Sequence, residues 1–466
     1  MMKIADNCNK KKKGKLLNKN NVFYKRIAQS KKKIKEEKDK IKIEKKNLKK
    51  SRKNKFYSSK FGSFVKKIIG FLKLDKDSYS FSEVFVITII SLIIGAFACC
   101  SMFVVITGGR NYFVLSKDLD KLVEVYETIS SSYYDEVDKQ NLVDEAINGM
   151  VSSVGDAYTS YVDIDSTLEF DELVNGKYEG IGCTIQLTDN GIMIVEVFND
   201  SPAEKGGLLV GDIVVKVDDK DASVMSAEEL ANYIKTESDA NISMNVLRNG
   251  EEKSIKLVRE VVETPVVNSA VYTKNNKKIG YLNISIFAAV SSKQFNVKLN
   301  ELEKEGVDAL VIDVRNNNGG YLSEVTTIAS TLLPKGKTIY QIQKDEKKES
   351  TKDKTFANKN YPIAILVNGA SASASEILAA AIKESYGGFV VGTKTYGKGT
   401  VQQTKKLSDG SMIKYTIENW LSPEGNWIDE KGVEPTHTVV LSEEFYSNPI
   451  VENDGQLQKA LELVSN

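Results

Sequence analysis

Histidine and cysteine are scarce in this chain of 466 residues, which contains one histidine, His437, and four cysteines. A hydrolase of the Ser-His-Asp kind would have to use His437, which follows Gly and Pro in the stretch GVEPTH near the end. Three cysteines lie within the first 100 residues, so Cys183 stands alone in the remainder. That remainder therefore offers neither a disulfide framework nor the usual ligands of a zinc site.

Negative charge is scarce in the first 80 residues, which carry 28 Lys and Arg against 7 Asp and Glu. The remaining residues carry 36 Lys and Arg against 56 Asp and Glu, so the near-neutral total hides a strong asymmetry. Low complexity of this basic arm predicts disorder or a frayed charged helix. Binding of nucleic acid is the alternative, and it would show as salt-dependent retention of the arm on DNA.

The position of the arm favours a membrane instead, because Val84 to Ile106 contains 23 residues without a charge. The basic excess before this segment places its amino-terminal side in the cytoplasm and everything after Gly108 outside. The stretch AFACC resembles a lipoprotein cleavage site. The apolar run continues past it, however, and the arm is far longer than the basic region of a signal peptide, so we predict an uncleaved anchor.

Short alternating strands begin at Tyr178, with helical stretches at Ser201 and from Ser226 to Thr236. Together with the turn Gly180-Ile181-Gly182, this pattern predicts a PDZ domain. Such a domain binds a peptide as an added strand and holds its terminal carboxylate on backbone N–H groups. A packed module without a ligand fits the pattern equally well.

Strands and helices alternate from Val266 onwards, which predicts an α/β layer whose site lies beyond the carboxyl ends of parallel strands. Residues 316–320, NNNGG, follow one such strand, and their glycines could offer N–H groups to a carbonyl. Residues 118–154 are predicted to be helical. The Lys-rich insertion 344–359 is predicted to form a solvated loop or hairpin.

A strand-turn-helix pattern in residues 366–376, LVNGASASASE, places three serines where a turn meets a helix. Unpaired N–H groups there suit a developing oxyanion, although Ser/Ala runs also serve in packing and capping. The histidine count favours activation by a lysine, and Lys398 lies between glycines in TYGKGT. A lysine with a usual pKa of about 10.4 becomes a base only if burial disfavours its charge, and a solvated Lys398 is the alternative.

Residues 392–398, GTKTYGK, also satisfy the first seven positions of a phosphate-binding P-loop. The eighth position must be Ser or Thr to bind Mg²⁺, and this chain has Gly399 there. The following TVQQTKKLSDG favours a strand and a turn over the helix that a P-loop needs. We therefore rank an NTPase well below a hydrolase.

Four motifs resemble the carboxyl-terminal processing peptidases, also called tail-specific proteases: SPAEKGGLLVGDIVVKVD, LVIDVRNNNGG, VNGASASASEILAAAI and VGTKTYGKGTVQ. The resemblance runs from about Leu119 to the GVEP stretch. It implies an α/β protease core of the ClpP/crotonase-like type with an inserted PDZ domain. It further implies a Ser-Lys mechanism that needs no metal or organic cofactor, and copies of the chain that pair.

The resemblance assigns roles to residues at matching positions. It makes Ser373 the nucleophile, Lys398 the general base and Gln402 the residue that orients the lysine, while Ser371 and Ser375 have no catalytic role. The oxyanion donors would be the N–H of Ala374 and of Gly319 or Gly320, and the substrate carboxylate would meet Gly180, Ile181 and Gly182. Two positions depart from the family pattern: Glu384, where an aspartate is common, and Thr436-His437 after GVEP.

These observations predict a single-pass membrane protein with an extracytoplasmic endopeptidase that acts on polypeptides with free carboxyl termini. The predicted domains are a basic arm (1–80), a transmembrane helix (84–106), a helical part (110–165), a PDZ domain (166–262), a catalytic core (263–440) and a tail (441–466). A PDZ scaffold without catalysis is the competing class. It gives no reason to retain Ser373, Lys398 and Gln402 together.

Overall fold

A computed structural model describes residues 80–106, 112–236, 240–344, 347–355 and 359–466. The chain divides into two units, one up to Tyr133 and one from Tyr134 onwards. The predicted basic arm lies outside the described residues, apart from Ser80.

The described part of the first unit contains two helices, α1 (Phe81–Ile106) and α2 (Tyr112–Ser132). Within α1, the 19 residues Val84–Met102 have the length and composition of a membrane span, and none of this stretch is buried. This helix covers the segment predicted to be transmembrane and begins three residues earlier.

The second unit opens with α3 (Lys139–Ser152), β1 (Ser160–Val162) and α4 (Ile164–Asn175). The region predicted to be helical, 118–154, forms two helices, since α2 ends at Ser132 and α3 begins at Lys139. Asp138 caps α3 by accepting hydrogen bonds from the N–H groups of Gln140 and Asn141. Gly176 then ends α4 in a left-handed conformation.

The strands predicted for a PDZ domain form a small barrel. The elements of this barrel are β2 (Lys177–Gly180), β3 (Cys183–Thr188), β4 (Gly191–Val197), α5 (Pro202–Gly206), β5 (Ile213–Val217), β6 (Lys220–Asp221), α6 (Ala227–Thr236), β7 (Asn241–Arg248), β8 (Glu251–Val258) and β9 (Glu260–Glu263). Its main sheet has the order β3-β4-β5-β7-β8, and β2 and β9 form a separate pair. Strand β3 pairs only with β4, so its other edge is open.

The core contains a six-stranded sheet in which all neighbours are parallel except the first antiparallel pair. Its strands, in spatial order, are β10 (Val267–Lys274), β11 (Lys277–Ile284), β12 (Ala309–Asp313), β15 (Ile363–Val367), β16 (Phe389–Gly392) and β19 (His437–Thr438). Every residue of β12 and β15 is buried, as expected for parallel strands that are covered on both faces.

Helices cover both faces of this sheet. One face packs against α7 (Ser291–Lys304), α8 (Leu322–Leu332) and α9 (Ala374–Ala380). The other face packs against the C-terminal helix α11 (Gly455–Ser465), after the short α10 (Glu443–Ser447). The predicted α/β architecture is confirmed.

A second sheet holds β1, β18 (Met412–Leu421), β13 (Thr338–Lys344) and β14 (Lys347–Lys352) in that order, with β17 (Thr400–Lys406) also paired to β18. The Lys-rich insertion supplies most of the β13–β14 hairpin, in agreement with the prediction. Because the residues after Lys398 form strand β17, no helix follows the GTKTYGK stretch as a P-loop requires.

Candidate active site

Residues 368–373, here called the serine turn, connect β15 to α9 and place Ser373 at the N-cap of that helix. Ser373 has φ 55° and ψ −113°, a left-handed conformation that is strained for a residue with a side chain. Its N–H donates to Glu376 Oε2 at 2.8 Å within a capping box. The turn is therefore held by its own side chains, and Ser373 remains half-buried rather than enclosed.

The two flanking serines are fully buried and bind the neighbouring loop. Ser371 Oγ donates to the carbonyl of Val314 at 2.8 Å, and Ser375 Oγ donates to the carbonyl of Asn317 at 2.8 Å. Both hydroxyls thus attach the serine turn to the loop that follows β12.

Glu376 is fully buried and connects the serine turn to the loop that carries Lys398. Its Oε2 accepts from the backbone N–H of Ser373 at 2.8 Å and of Lys398 at 2.9 Å. Its Oε1 accepts from Gly397 N–H at 2.7 Å and from Thr395 Oγ1 at 2.6 Å. Burial raises the pKa of this carboxyl, while the four donors act in the opposite direction. One carboxylate oxygen therefore brings the predicted nucleophile and the predicted base together.

The lysine loop, residues 397–399, packs tightly against residues 429–432. This close packing explains why glycines stand on both sides of Lys398. A Cβ on Gly399 would lie 2.4 Å from the backbone nitrogen of Asp429. Gly399 N–H donates to Asp429 Oδ1 at 2.9 Å, and Trp420 Nε1 donates to the Lys398 carbonyl at 2.9 Å. The glycines carry Lys398 inward, as the sequence predicts.

The amine of Lys398 lies over the ring of Tyr158, with Nζ 5.0 Å from the ring centroid. Burial lowers the pKa of Lys398, and the charge of Lys414 lowers it further, against the opposing carboxylates of Glu376 and Asp156. Within the described part of the chain, no hydrogen bond joins Lys398 Nζ to Ser373 Oγ. The amine therefore faces Tyr158 in an environment that lowers its pKa.

Tyr158 and Asp156 belong to the turn before β1 and were not among the predicted site residues. They lie far from Lys398 in sequence and reach it only because β1 pairs with β18, which also pairs with β17. The sequence signal was the turn-rich stretch 155–165, which gave no reason to place it beside the lysine.

Gln402 lies on β17, at a bulge in the pairing with β18. Its Nε2 donates to Thr400 Oγ1 at 2.6 Å. Among the described contacts, none joins its amide to the side chain of Lys398. The structure thus places Gln402 on the strand that follows the lysine loop, with its amide nitrogen turned to a neighbour on the same strand.

The glycine pair after β12 approaches the serine turn closely. A Cβ on Gly319 would lie 2.9 Å from Ser373 Cβ, and one on Gly320 would lie 2.3 Å from the Phe287 carbonyl oxygen. Gly319 N–H donates to Asn317 Oδ1 at 2.8 Å. The described residues offer no acceptor to the N–H of Ala374 or Gly320. Among the described residues, the N–H groups of Ala374 and Gly320 are thus free, whereas that of Gly319 is engaged by Asn317.

Buried polar side chains fix this glycine loop. Asn317 is fully buried, and its Nδ2 donates to the Ile284 carbonyl at 2.8 Å. Arg315 forms ion pairs with Asp313 at 2.6 Å and with Asp454 at 2.8 Å, which attach the start of the loop to helix α11. The loop is therefore anchored on both sides before any substrate binds.

The two positions that depart from the family pattern have structural contacts. Glu384 accepts from Glu424 N–H at 2.8 Å and from Asn426 Nδ2 at 3.2 Å, so it holds the loop after β18. His437 lies on β19, with Nδ1 3.0 Å from Thr436 Oγ1 and its ring against Phe389. No described contact joins His437 to Ser373.

A groove of about 430 Å³ lies between the open edge of β3 and helix α6. Gly180 and Ile181 line it, as predicted, together with apolar residues of both elements: Cys183, Ile185, Ala231 and Ile234. Gly182 lies behind the lining, where a Cβ would be 2.4 Å from Ser201 Cβ. Helix α4 adds a wall through Glu169, Glu172 and Leu173, which the sequence did not predict.

Three family models match consecutive parts of the chain. The model of peptidase family S41 matches residues 278–439, and that of PDZ domains matches residues 180–258. The model described as the activating protease CtpB N-terminal domain matches residues 107–166.

Relatives from Bacillus subtilis are similar over most of their length. Carboxy-terminal processing protease CtpB is 35% identical over 75% of this chain and 72% of its own. Carboxy-terminal processing protease CtpA is 34% identical over 71% of both chains. A solved photosystem II D1 C-terminal processing protease is 24% identical, with a TM-score of 0.42, over 77% of this chain and 92% of its own.

The serine turn, the half-buried lysine and the inserted barrel therefore occur in a chain whose residues 107–166, 180–258 and 278–439 match three family models. The resemblance predicted from the four motifs is confirmed. The chain belongs to peptidase family S41, among the carboxy-terminal processing serine proteases that carry a PDZ domain.

Proposed function

We propose that this protein is a membrane-anchored endopeptidase that processes or degrades extracytoplasmic proteins, captures their carboxyl termini in the PDZ groove and cleaves them with Ser373 and Lys398. The observation that carries the proposal is the bridge formed by Glu376. Its Oε2 accepts from the backbone N–H of both Ser373 and Lys398, so one oxygen holds the backbones of the strained serine and of the half-buried lysine.

In the proposed reaction, neutral Lys398 takes the proton of Ser373 Oγ while that oxygen attacks the substrate carbonyl. The carbonyl oxygen gains the negative charge and meets the Ala374 N–H and the glycine loop, where the N–H of Gly320 is free. The lysine ammonium then gives its proton to the leaving amine, and the peptide bond breaks. Water, deprotonated by Lys398, hydrolyses the acyl-enzyme and restores the serine.

The Lys398 amine must turn from Tyr158 towards Ser373 for this reaction. A contact between an amine and an aromatic face contributes about 0.5–1 kcal/mol at a partly exposed site, so it does not prevent the rotation. Gln402 would orient the amine through its amide oxygen, since its amide nitrogen is taken by Thr400. Hydrogen bonds of catalytic groups often form only in the complex with substrate.

The proposed membrane topology rests on α1 and on the distribution of charge. Helix α1 contains a 19-residue stretch that is apolar and unburied, and 28 basic residues precede it or lie at its start. We propose one membrane crossing, a cytoplasmic amino terminus, and an extracytoplasmic second unit that pairs with a copy of itself.

Alkaline phosphatase fused after Asn466 is expected to be active in a bacterial host, because this enzyme matures only outside the cytoplasm. A matched fusion after Ser80, which lacks α1, should be inactive at the same expression level. Phosphatase activity per fusion protein is the measurement. An inactive Asn466 fusion at the same expression level would contradict the proposed topology.

Full-length protein in detergent micelles is expected to cleave β-casein into fragments that mass spectrometry identifies.

A peptide with a free carboxyl terminus should be cleaved about tenfold more efficiently than its amide. A charge-assisted hydrogen bond to the carboxylate contributes a binding free energy that corresponds to about tenfold in affinity. The difference should lie in KM, since the carboxylate binds away from the reacting bond. Equal rates for both peptides would refute recognition of the terminus, and intact casein would refute the protease.

A further inference from the structure

Among the described residues that line the groove, one side chain is cationic, that of Lys235 in the last turn of α6. Its Nζ lies 2.7 Å from Glu172 Oε2 and 5.4 Å from the centroid of the Tyr178 ring. The two charged side chains remain 37% and 42% exposed, so this ion pair is open to water and to a competing anion.

Tyr178 places this amine beside the turn that is expected to hold a carboxylate. A Cβ on Gly180 would lie 2.4 Å from Cε2 of Tyr178, so the ring packs directly on the glycine. The Tyr178 ring thus contacts both the Lys235 amine and Gly180, which brings a positive charge to the start of the Gly180–Gly182 turn. A terminal carboxylate bound there would meet the ammonium as well as backbone N–H groups.

Apolar side chains complete the groove around this charge. Cys183 and Ile185 lie on the open edge strand, Ile234 lies on the facing helix, and Ile181 lies in the turn. They suit an aliphatic side chain at the end of a peptide, while Lys235 suits its carboxylate. The groove therefore matches both halves of an aliphatic carboxyl-terminal residue.

Glu172 comes from outside the barrel, on helix α4, which is attached to the protease core. Ala289 N–H donates to the Val174 carbonyl at 2.8 Å, and Asp171 forms an ion pair with Lys406 at the end of β17. The carboxylate that binds Lys235 is thus fixed to the core, whereas Lys235 belongs to the barrel. Glu172 therefore already binds the ammonium group that a substrate carboxylate would need.

We propose that Lys235 is a specificity-determining residue whose ammonium binds the terminal carboxylate of the substrate, and that Glu172 occupies this ammonium until the substrate displaces it. The proposal rests on the proposed capture of carboxyl termini by the PDZ groove. It predicts that a carboxyl terminus is preferred over an amide or an internal segment through Lys235, and that Glu172 weakens this preference by competition.

Binding of one peptide in two forms tests the proposal. The probe is a fluorescent decapeptide that ends in valine, with a free carboxylate or an amide, added to full-length Ser373→Ala protein in detergent and measured by anisotropy. The parent should bind the free acid about tenfold more tightly than the amide. Lys235→Met should reduce this ratio severalfold, and Glu172→Gln should tighten binding of the free acid alone by about three- to tenfold.

Two control variants change the same charges at other places. Glu228→Gln removes an exposed carboxylate from the first turn of α6, outside the lining of the groove, and should change the ratio less than twofold, within the usual range for surface charges. Lys205→Met removes an amine that pairs with Glu260 at 3.5 Å outside the groove and should leave both affinities unchanged. Thermal unfolding of each variant confirms that the fold persists.

A double variant isolates the competition, because Glu172→Gln should have no effect once Lys235 is Met. The assignment would be overturned if Lys235→Met weakened both peptides equally or neither. It would also be overturned if Glu172→Gln weakened binding of the free acid. Failure of the parent to bind either peptide would instead overturn the proposed role of the groove itself.

Discussion

Ser373→Ala is expected to abolish cleavage of β-casein, with a loss of roughly 10⁴-fold or more in kcat, as when other serine proteases lose their nucleophile. The substitution removes only Oγ, so the backbone strain and the N–H bond to Glu376 should persist. Thermal unfolding should therefore remain close to that of the parent. Initial rates of casein cleavage, followed by gel and mass spectrometry, are the measurement.

Ser371→Ala and Ser375→Ala provide matched controls in the same turn. Each removes a buried hydrogen bond to a backbone carbonyl, which should lower the free energy of unfolding by about 1 kcal/mol. Cleavage should fall by less than about tenfold, because neither hydroxyl attacks the substrate. Equal loss of activity in all three variants, or full activity of Ser373→Ala, would contradict the assignment of Ser373.

Much of the core could be predicted because its strands are short apolar runs. The apolar runs 309–312 and 363–367 are buried on both faces, as is typical of parallel strands that are covered by helices. Close backbone approach at Gly399 likewise demands glycine. The apolar runs and the glycine are both visible in short stretches of sequence. Neither prediction therefore required knowledge of the rest of the fold.

The contacts that assemble the site could not be predicted in the same way. Glu376 is recognisable from sequence as the third residue of a helix, but its bonds to Gly397 and Lys398 depend on how two distant loops meet. Tyr158 reaches Lys398 through the pairing of β1 with β18. Such contacts arise from register between elements, which no local pattern specifies.

The wall that α4 adds to the peptide groove illustrates the same limit. The helix precedes the barrel, and its Glu172 has no pattern that links it to Lys235, 63 positions later. The predicted boundary at residue 166 divides α4, so this helix is better regarded as part of the connection to the core. The chemistry of the groove therefore depends on a segment outside the PDZ pattern.

Lys398→Ala is expected to lower kcat by at least roughly 10²–10⁴-fold, the usual contribution of a general base. Lys398→Arg should be equally inactive, because a guanidinium keeps a positive charge and its proton up to a pH above 12. Gln402→Ala should retain more activity than either, since it removes an orienting group rather than the base. Rates of peptide cleavage at several pH values measure all three.

The pH dependence separates a catalytic amine from a structural one. Burial lowers the pKa of Lys398, and activity requires the neutral form, so kcat/KM should rise with pH through that lowered pKa and reach a plateau.

The lowered pKa of Lys398 also affects the stability of the fold. A lysine with a depressed folded pKa destabilises the fold at low pH, and this penalty disappears as pH rises from the folded towards the unfolded pKa. Lys398→Met should therefore be inactive yet at least as stable as the parent near neutral pH. A Lys398→Ala protein with full activity, or a rate that falls as the amine loses its proton, would contradict the Ser-Lys mechanism.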